Sequence, residues 1–292
     1  MKWAARASVT VALILLATKA AAWWLSQSVA MLGSATDSGL DLMASVVTLL
    51  AIKTALQPAD DDHRFGHGKA EALAGMFQAA IMGGSAVFLL FESLARIANP
   101  IEIHQSELVM KVSLLAIILS LMLVLFQSYV VKKTKSIAIS GDHLHYRGDL
   151  LLNASVMVSA YLSSIGYIYA DSLFGFLIAL YIAKGSYDVA LPAVDMLMDR
   201  EFPESEREDI FNVVMGSPGV IGLHDLRTRT SGRDRFIQMH IEVKGSITVD
   251  EGHFIADEVE ATLGETFPDT DILIHIDPPT EKSADLTVKE LL

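Results

Sequence analysis

The chain has 292 residues, of which 52% are hydrophobic, and its mean hydropathy of +0.42 is too high for an ordinary soluble domain and too low for a chain lying entirely in a membrane. Net charge differs between the two parts of the chain: residues 1–199 carry 15 acidic and 13 basic residues, for a net charge of −2. Residues 200–292 carry 20 acidic and 9 basic residues, for a net charge of −11. This difference predicts a membrane domain followed by an acidic soluble domain. The acidity argues against nucleic-acid binding and favours cations, and because cysteine is absent, any metal must be held by His, Asp and Glu.

Six apolar stretches are each close to the roughly 20 residues that a helix needs to cross a bilayer. They lie at residues 4–25, 32–54, 71–96, 107–131, 145–166 and 171–191. The first could pass for a signal peptide, but its apolar run continues through Trp23 and Trp24 and further spans follow. We therefore predict an all-α membrane domain of six helices over residues 1–199, embedded in the lipid bilayer.

The basic residues favour one orientation in the membrane. Lys and Arg precede the first span, follow the sixth, and occur around segments 55–70 and 132–144, while the loops on the other side are nearly free of them. Because basic loops stay in the cytoplasm, both termini and these two segments are predicted to be cytoplasmic.

The soluble part is predicted to be a small α+β sandwich over residues 200–280, with the order α-β-β-α-β. Its helices are expected at 203–215 and 250–266, the second capped by Asp250, and its strands at 221–230, 235–243 and 271–277. The SGRD segment at 231–234 is a hairpin signal between the first two strands. The polar tail, residues 281–292, is expected to be disordered.

Two pairs of polar residues interrupt the apolar spans at helical spacing. Asp37 and Asp41 lie in the second span, and His145 and Asp149 begin the fifth. Residues spaced i, i+4 share one helix face, with about 6 Å of axial rise between them. Two such helices side by side would bring together three carboxylates and one imidazole, the number of ligands that tetrahedral Zn²⁺ takes. A charged residue at the bilayer centre costs about 2.5–3.5 kcal/mol, so three unpartnered carboxylates are unexpected there.

Other interpretations of this quartet stay open. Asp37 and His145 could lie near helix ends in contact with water, although that does not account for two i, i+4 pairs. Lys19 in the first span could neutralise one acid, but a lysine there more commonly extends to the interface. Histidine titrates near neutral pH, so protons can replace the metal, which is a chemical basis for exchanging one for the other.

The segment 58–71, PADDDHRFGHGKAE, is a second candidate metal site. His63 and His67 are spaced i, i+4, and Asp60 lies just before them. A solvated acidic loop is the alternative, but two histidines beside three aspartates favour metal contact.

A third candidate site lies in the acidic domain. His224 and His240 fall on the two hairpin strands, and His275 and Asp277, spaced i, i+2, share one face of the last strand. His253 falls on the second helix. Single histidines in such a domain are usually surface or core residues, but four of the chain's nine histidines in this small domain favour metal binding.

Lys69 and Asp199 fall at the cytoplasmic ends of the third and sixth spans. An exposed pair would contribute little, but at a packed membrane boundary the two could form an interlock. His104 and His143 are interpreted as ordinary histidines.

Together these motifs resemble the cation diffusion facilitator family. The similar segments are Asp37-x3-Asp41, the FGHGKAE loop, His145-x3-Asp149 and the tail HDLRTR…FIQMH…IHIDP, so the resemblance covers essentially the whole chain. It implies a homodimer of six-span protomers in the bacterial inner membrane that exports Zn²⁺ from the cytoplasm in exchange for protons. It also implies a cytoplasmic domain that resembles copper metallochaperones, without their cysteine pair.

The resemblance further implies a role for each group of residues. It implies a transport site at Asp37, Asp41, His145 and Asp149, a loop site at Asp60, His63 and His67, and a binuclear site at the dimerised cytoplasmic domains formed by His224, His240, His253, His275 and Asp277. It implies that Lys69 and Asp199 interlock and hold the dimer near its hinge.

A secondary active transporter, not an enzyme, is the favoured function. An intramembrane metalloenzyme is disfavoured because HExxH is absent and the quartet leaves no coordination position for a hydrolytic water. A membrane-anchored metal sensor would not need acids inside its spans. The choice among Zn²⁺, Cd²⁺, Fe²⁺ and Mn²⁺, the proton stoichiometry, the conformation and the completeness of the N-terminus stay open.

Overall fold

A computed structural model describes residues 1–27, 29–98, 107–167 and 169–279. The chain divides into two compact units, Met1–Ala59 with Lys69–Val194, and Asp60–Gly68 with Asp195–Leu292. The second unit thus contains the short segment between the second and third helices. The predicted disordered tail and His104 lie outside the described residues.

Six long helices build the first unit, and each corresponds to one predicted span. They are α1 (Lys2–Ser26), α2 (Val29–Ala55), α3 (Lys69–Ala98), α4 (Glu107–Thr134), α5 (Ile137–Ser164) and α6 (Ala170–Leu197). Five of these six helices, all but α5, are long and apolar enough to cross a membrane over their described residues. The exception, α5, is equally long, but it carries the polar residues of the candidate site.

The fifth helix begins earlier than predicted, at Ile137 instead of residue 145. Ser136 caps it, because its side chain accepts a hydrogen bond from the backbone N–H of Ile139 at 3.3 Å. The extra two turns place Asp142 and His143 inside the helix, where the sequence analysis expected a loop.

Glycines bring α3 and α5 unusually close. A Cβ on Gly75 would lie 2.5 Å from Cγ2 of Ile137, and one on Gly141 would lie 2.8 Å from Cβ of Gln78. Only glycine allows this approach, which resembles the small-residue interfaces of membrane helices. The polar side chains of α5 are therefore held against neighbouring helices.

The second unit contains a three-stranded sheet with the order β1-β2-β3. The strands β1 (Val220–Ser231) and β2 (Asp234–Val243) form the predicted antiparallel hairpin, and β3 (Thr270–Asp277) pairs parallel to β2. The helices α7 (Glu204–Met215) and α8 (Val249–Thr266) pack against β1 and β3 respectively. The predicted order α-β-β-α-β is confirmed.

The cap of α8 differs from the prediction. Thr248, not Asp250, is the N-cap residue, and its hydroxyl accepts a hydrogen bond from the Glu251 N–H at 3.3 Å. The Glu251 carboxylate accepts one from the Thr248 N–H at 2.7 Å, which completes a capping box. Asp250 therefore lies in the first helical turn.

Alternation along β2 separates the core from the face that carries the histidines. Ile237, Met239 and Ile241 are buried in a core shared with α7 and α8. His240 lies on the other face, where the register pairs it with His224 of β1 and His275 of β3. Strand pairing therefore places three histidines in one row across the sheet.

Candidate metal centres

The membrane helices bring three predicted ligands together. The donor atoms of Asp41, His145 and Asp149 all lie within 4.8 Å of one another. The Nε2 atom of His145 is 3.1 Å from Oδ1 of Asp41 and 3.5 Å from Oδ2 of Asp149. The two helices α2 and α5 thus converge their polar faces as the spacing predicts.

The fourth predicted ligand, Asp37, lies outside this compact group. It is exposed and sits one turn before Asp41 on the same helix. The side chain of Lys19 on α1 interacts electrostatically with its carboxylate. A lysine partner for one acid was the alternative that the sequence left open, and both roles of Asp37 stay predictions.

The surroundings of His145 leave one ring nitrogen for a cation. Its imidazole is only 6% exposed, and Nδ1 lies 3.2 Å from the sulfur of Met82 on α3. Nε2 is buried between two carboxylates, but the angles do not make a hydrogen bond. A buried imidazole nitrogen in this position suits a divalent cation. Met82 could not be identified from the sequence, because nothing in the residues around a methionine indicates that it contacts a distant histidine.

The loop residues also converge, although by turns and not by a helix. Oδ1 of Asp60 accepts hydrogen bonds from the backbone N–H groups of Asp62 (3.1 Å) and His63 (2.7 Å). The two imidazoles lie near this carboxylate, with His63 Nδ1 3.2 Å from Oδ1 and His67 Nε2 3.3 Å from Oδ2. The bond from the His63 N–H is the main reason that the pKa of Asp60 lies below its usual value, so the carboxylate is an ionised ligand at neutral pH.

An aromatic contact anchors this loop within the second unit. The guanidinium of Arg229 lies 4.5 Å from the Phe65 ring and 4.7 Å from the Phe236 ring. The two rings are 5.6 Å apart in an edge arrangement, and Arg229 is also 3.6 Å from Asp199. Such cation–π contacts can fix the position of a polar loop that has no apolar core of its own. In the sequence, only the presence of the aromatic Phe65 in an otherwise polar segment could have indicated this packing contact.

The histidine row on the sheet surrounds one carboxylate. Oδ2 of Asp277 lies 2.8 Å from His240 Nδ1 and 3.4 Å from His224 Nε2, and its Oδ1 lies 3.4 Å from His275 Nε2. The hydrogen bond with His240 is the largest reason that the pKa of Asp277 is lowered, and the charges of the three imidazoles act in the same direction. Histidine and carboxylate ligands at this spacing fit a divalent metal such as Zn²⁺.

Two further acids lie at this site and were missed from the sequence. Glu242 pairs with Asp277 across the sheet, and its Oε1 is 3.7 Å from His224 Nε2. Gly222 leaves room for it, since a Cβ there would lie 2.8 Å from Oε2 of Glu242. Asp225 joins His224 and His240 in a possible ligand group, because a bulge in β1 gives it a φ of 51°.

The remaining predicted residues lie elsewhere. His253 is exposed on α8, with Nδ1 3.6 Å from Asp257, and belongs to none of the ligand groups found among the described residues. His143 shares a hydrogen bond of 2.9 Å with Ser128 of α4, in keeping with an ordinary role. The interlock of Lys69 with Asp199 stays a prediction.

Comparison with known proteins identifies the family. Residues 5–198 match the cation efflux transmembrane domain, and residues 202–279 match the cytoplasmic domain of cation efflux proteins. The chain belongs to the cation diffusion facilitator family. The cation-efflux pump FieF of Yersinia enterocolitica is 43% identical over 288 residues, covering 97% of this chain and 96% of that protein. FieF of Salmonella typhimurium is 42% identical over 275 residues, covering 94% and 92%.

A solved structure matches about a quarter of the chain. The metal-bound C-terminal domain of the CzcD transporter from Thermotoga maritima is 31% identical and covers 26% of this chain and 94% of that domain, with a TM-score of 0.25. Cation diffusion facilitators are transporters and not enzymes, so this chain functions in the efflux of metal cations. Its long apolar helices make it a multi-pass membrane protein. The predicted family and the predicted class of function are confirmed.

Proposed function

We propose that this cation diffusion facilitator exports Zn²⁺ from the cytoplasm in exchange for protons. The observation that carries the proposal is the convergence of Asp41, His145 and Asp149 inside a bundle of membrane helices. Ionisable residues at such a depth are costly, and a transported cation accounts for them.

The transport site comprises these three residues and Asp37. The neutral imidazole of His145 offers Nε2 to the metal, and the three carboxylates offer oxygen, which gives a tetrahedral set of four. Asp37 is included because it lies one turn from Asp41 on the same face of α2, although its carboxylate is outside the compact group. With the four ligands filled, no position is left for a catalytic water.

Protons and metal compete for the same atoms. A metal ion needs the imidazole nitrogen free of its proton and the carboxylates ionised, so each metal that binds displaces protons. Export then follows if the site binds metal on the cytoplasmic side and exchanges it for protons on the far side. A nitrogen and oxygen set also admits Cd²⁺, Fe²⁺ or Mn²⁺, and a broader divalent exporter is the second candidate.

The second unit is proposed to be cytoplasmic and to form a homodimer around bound metal. Its residues 200–292 carry a net charge of −11, so two copies repel until cations lie between them. The row of His224, His240 and His275 with Asp277 supplies the ligands, while the Asp60 loop acts as a further metal site that feeds or tunes the pathway. The basic segments between the spans support cytoplasmic termini, and the bacterial relatives support placing the protein in a bacterial inner membrane.

Zinc flux in proteoliposomes, with and without an imposed pH gradient, tests the exchange. We expect faster Zn²⁺ uptake when the lumen is acidic, and weaker metal binding as the pH of the loading side falls, because protons compete for the imidazole and the carboxylates. Measuring Cd²⁺, Fe²⁺ and Mn²⁺ in the same vesicles separates a zinc exporter from a broader one. Flux that ignores the gradient would contradict the exchange, and metal binding without flux would instead support a sensor.

The proposed interlock is tested by exchanging its charges. Lys69→Asp is expected to lower Zn²⁺ transport several-fold, and adding Asp199→Lys to restore part of the loss. Restoration is only partial because a lysine at 199 would face Arg229, which is 3.6 Å from Asp199. Lys132→Asp, at another cytoplasmic helix end, is the control. Effects of the two substitutions that simply add would rule out the interlock.

A further inference from the structure

A second buried acid lies in the membrane domain and is not part of the proposed metal site. Asp142 is on α5, three residues before His145, and is 0% exposed. Its carboxylate accepts hydrogen bonds from the Ser8 hydroxyl, from Gln127 Nε2 at 2.6 Å and from the Ser45 hydroxyl at 3.4 Å. Three other helices, α1, α2 and α4, thus each contribute one donor.

The donors form a closed network around this carboxylate. Gln127 Nε2 also donates to the Ser8 hydroxyl at 2.9 Å, and the Tyr146 hydroxyl donates to the Ser8 carbonyl at 3.0 Å. The hydroxyl oxygens of Ser45 and Tyr146 lie 3.2 Å apart. These side chains are all buried, so water does not compensate a charge on Asp142.

No basic side chain pairs with Asp142 among the described residues. The contacts from α1 and α4 come from the neutral Ser8 and Gln127. The titratable residues that interact electrostatically with it are His145 and Tyr146 on its own helix. Beyond them, Asp41 on α2 lies beside His145, and Glu71 on α3 hydrogen-bonds the first turn of α5. An ionised carboxylate that is fully buried among neutral donors is costly, and a proton removes this cost.

Asp142 is separate from the metal ligands but close enough to respond to them. One helical turn separates it from His145, and the two side chains interact electrostatically. A doubly charged cation at His145 therefore stabilises the ionised carboxylate, and departure of the cation removes this stabilisation.

We propose that Asp142 binds and releases a proton of the exchange cycle. It loses this proton as the metal enters the neighbouring site and regains one as the metal leaves. The proposal rests on the metal–proton exchange proposed above and assigns one of its protons to a group that never contacts the metal.

Calorimetry on the full-length protein, in buffers of different ionisation enthalpy, counts the protons released for each Zn²⁺ bound. Asp142→Asn is expected to keep zinc binding and to release about one proton fewer, since an amide cannot titrate. The amide oxygen still accepts hydrogen bonds, so a purely structural role would leave the proton count unchanged. Asp188→Asn, at an exposed acid on α6, is the control and should match the wild type. An unchanged count in Asp142→Asn overturns the proposal.

A second variant covers the case in which Asp142→Asn does not fold. Gln127→Leu removes one donor to the ionised carboxylate, so zinc binding is expected to require a higher pH than in the wild type. An unchanged pH dependence overturns the proposal in that case. Wild-type flux that ignores a pH gradient would instead refute the exchange itself, so the two failures are distinguishable.

Discussion

Replacing Asp41 by alanine is expected to abolish Zn²⁺ uptake into proteoliposomes while leaving the protein folded. Asp41 is the carboxylate of α2 that lies 3.1 Å from Nε2 of His145, so its loss removes an oxygen ligand from the centre of the group. An alanine costs nothing in an apolar environment, whereas the original carboxylate needed a partner there. Asp149→Ala should behave alike from the opposite helix, since its carboxylate is 3.5 Å from the same nitrogen.

The matched control is Asp188→Ala on α6. Asp188 is also an acid within a long apolar helix, but it is exposed and pairs with Lys184 at 2.5 Å. Its removal should leave the rate within about twofold, because an exposed ion pair contributes little. Asp37→Ala distinguishes a fourth ligand from a partner of Lys19: loss of transport assigns it to the metal, and retained transport assigns it to the lysine. Zinc transport by Asp41→Ala would refute the proposed site.

Asp277→Ala is expected to remove most of the zinc-dependent association of the cytoplasmic domain. The carboxylate of Asp277 lies among three imidazoles, and its lowered pKa keeps it ionised as the pH falls through the range where histidine titrates. It therefore supplies the negative charge that balances a bound cation. Protons compete with metal for the imidazole nitrogens, so association is expected to weaken as the pH falls.

Sedimentation of residues 200–292 with and without Zn²⁺ measures this effect. The fragment holds its own hydrophobic core, in which Ile210, Ile237 and Leu263 are completely buried. Asp257→Ala is the control, because Asp257 is an exposed acid on α8 that lies 3.6 Å from His253. Equal association of all forms without metal would contradict the proposed metal-dependent dimer.

The sequence predicts which side chains share a face of a single helix or strand, because the helix and strand periods are fixed by backbone geometry. The i, i+4 pair of His145 and Asp149 and the i, i+2 pair of His275 and Asp277 both contribute to clusters for this reason. The α+β order of the soluble domain followed from its turn signals in the same way.

Contacts between distant elements were not readable. Met82 beside His145 and the donors around Asp142 come from helices that meet only in the folded bundle. Asp225 reaches its site through a bulge, and a bulge inserts a residue that no regular period reveals. The early start of α5 was not predicted, because the polar residues before residue 145 are typical of a loop and the N-cap at Ser136 is evident only in the structure.

The histidine row also limits how the strands can change length. His240 and His275 share the face opposite the core because an odd number of residue steps separates each of them from the core-facing apolar residues of its own strand. Losing one residue before His275 in β3 would turn the imidazole toward the core and an isoleucine toward the metal face, whereas losing two would preserve both. In β1, a bulge at Asp225 already accommodates one additional residue. Insertions and deletions tolerated in β2 and β3 should therefore come in pairs.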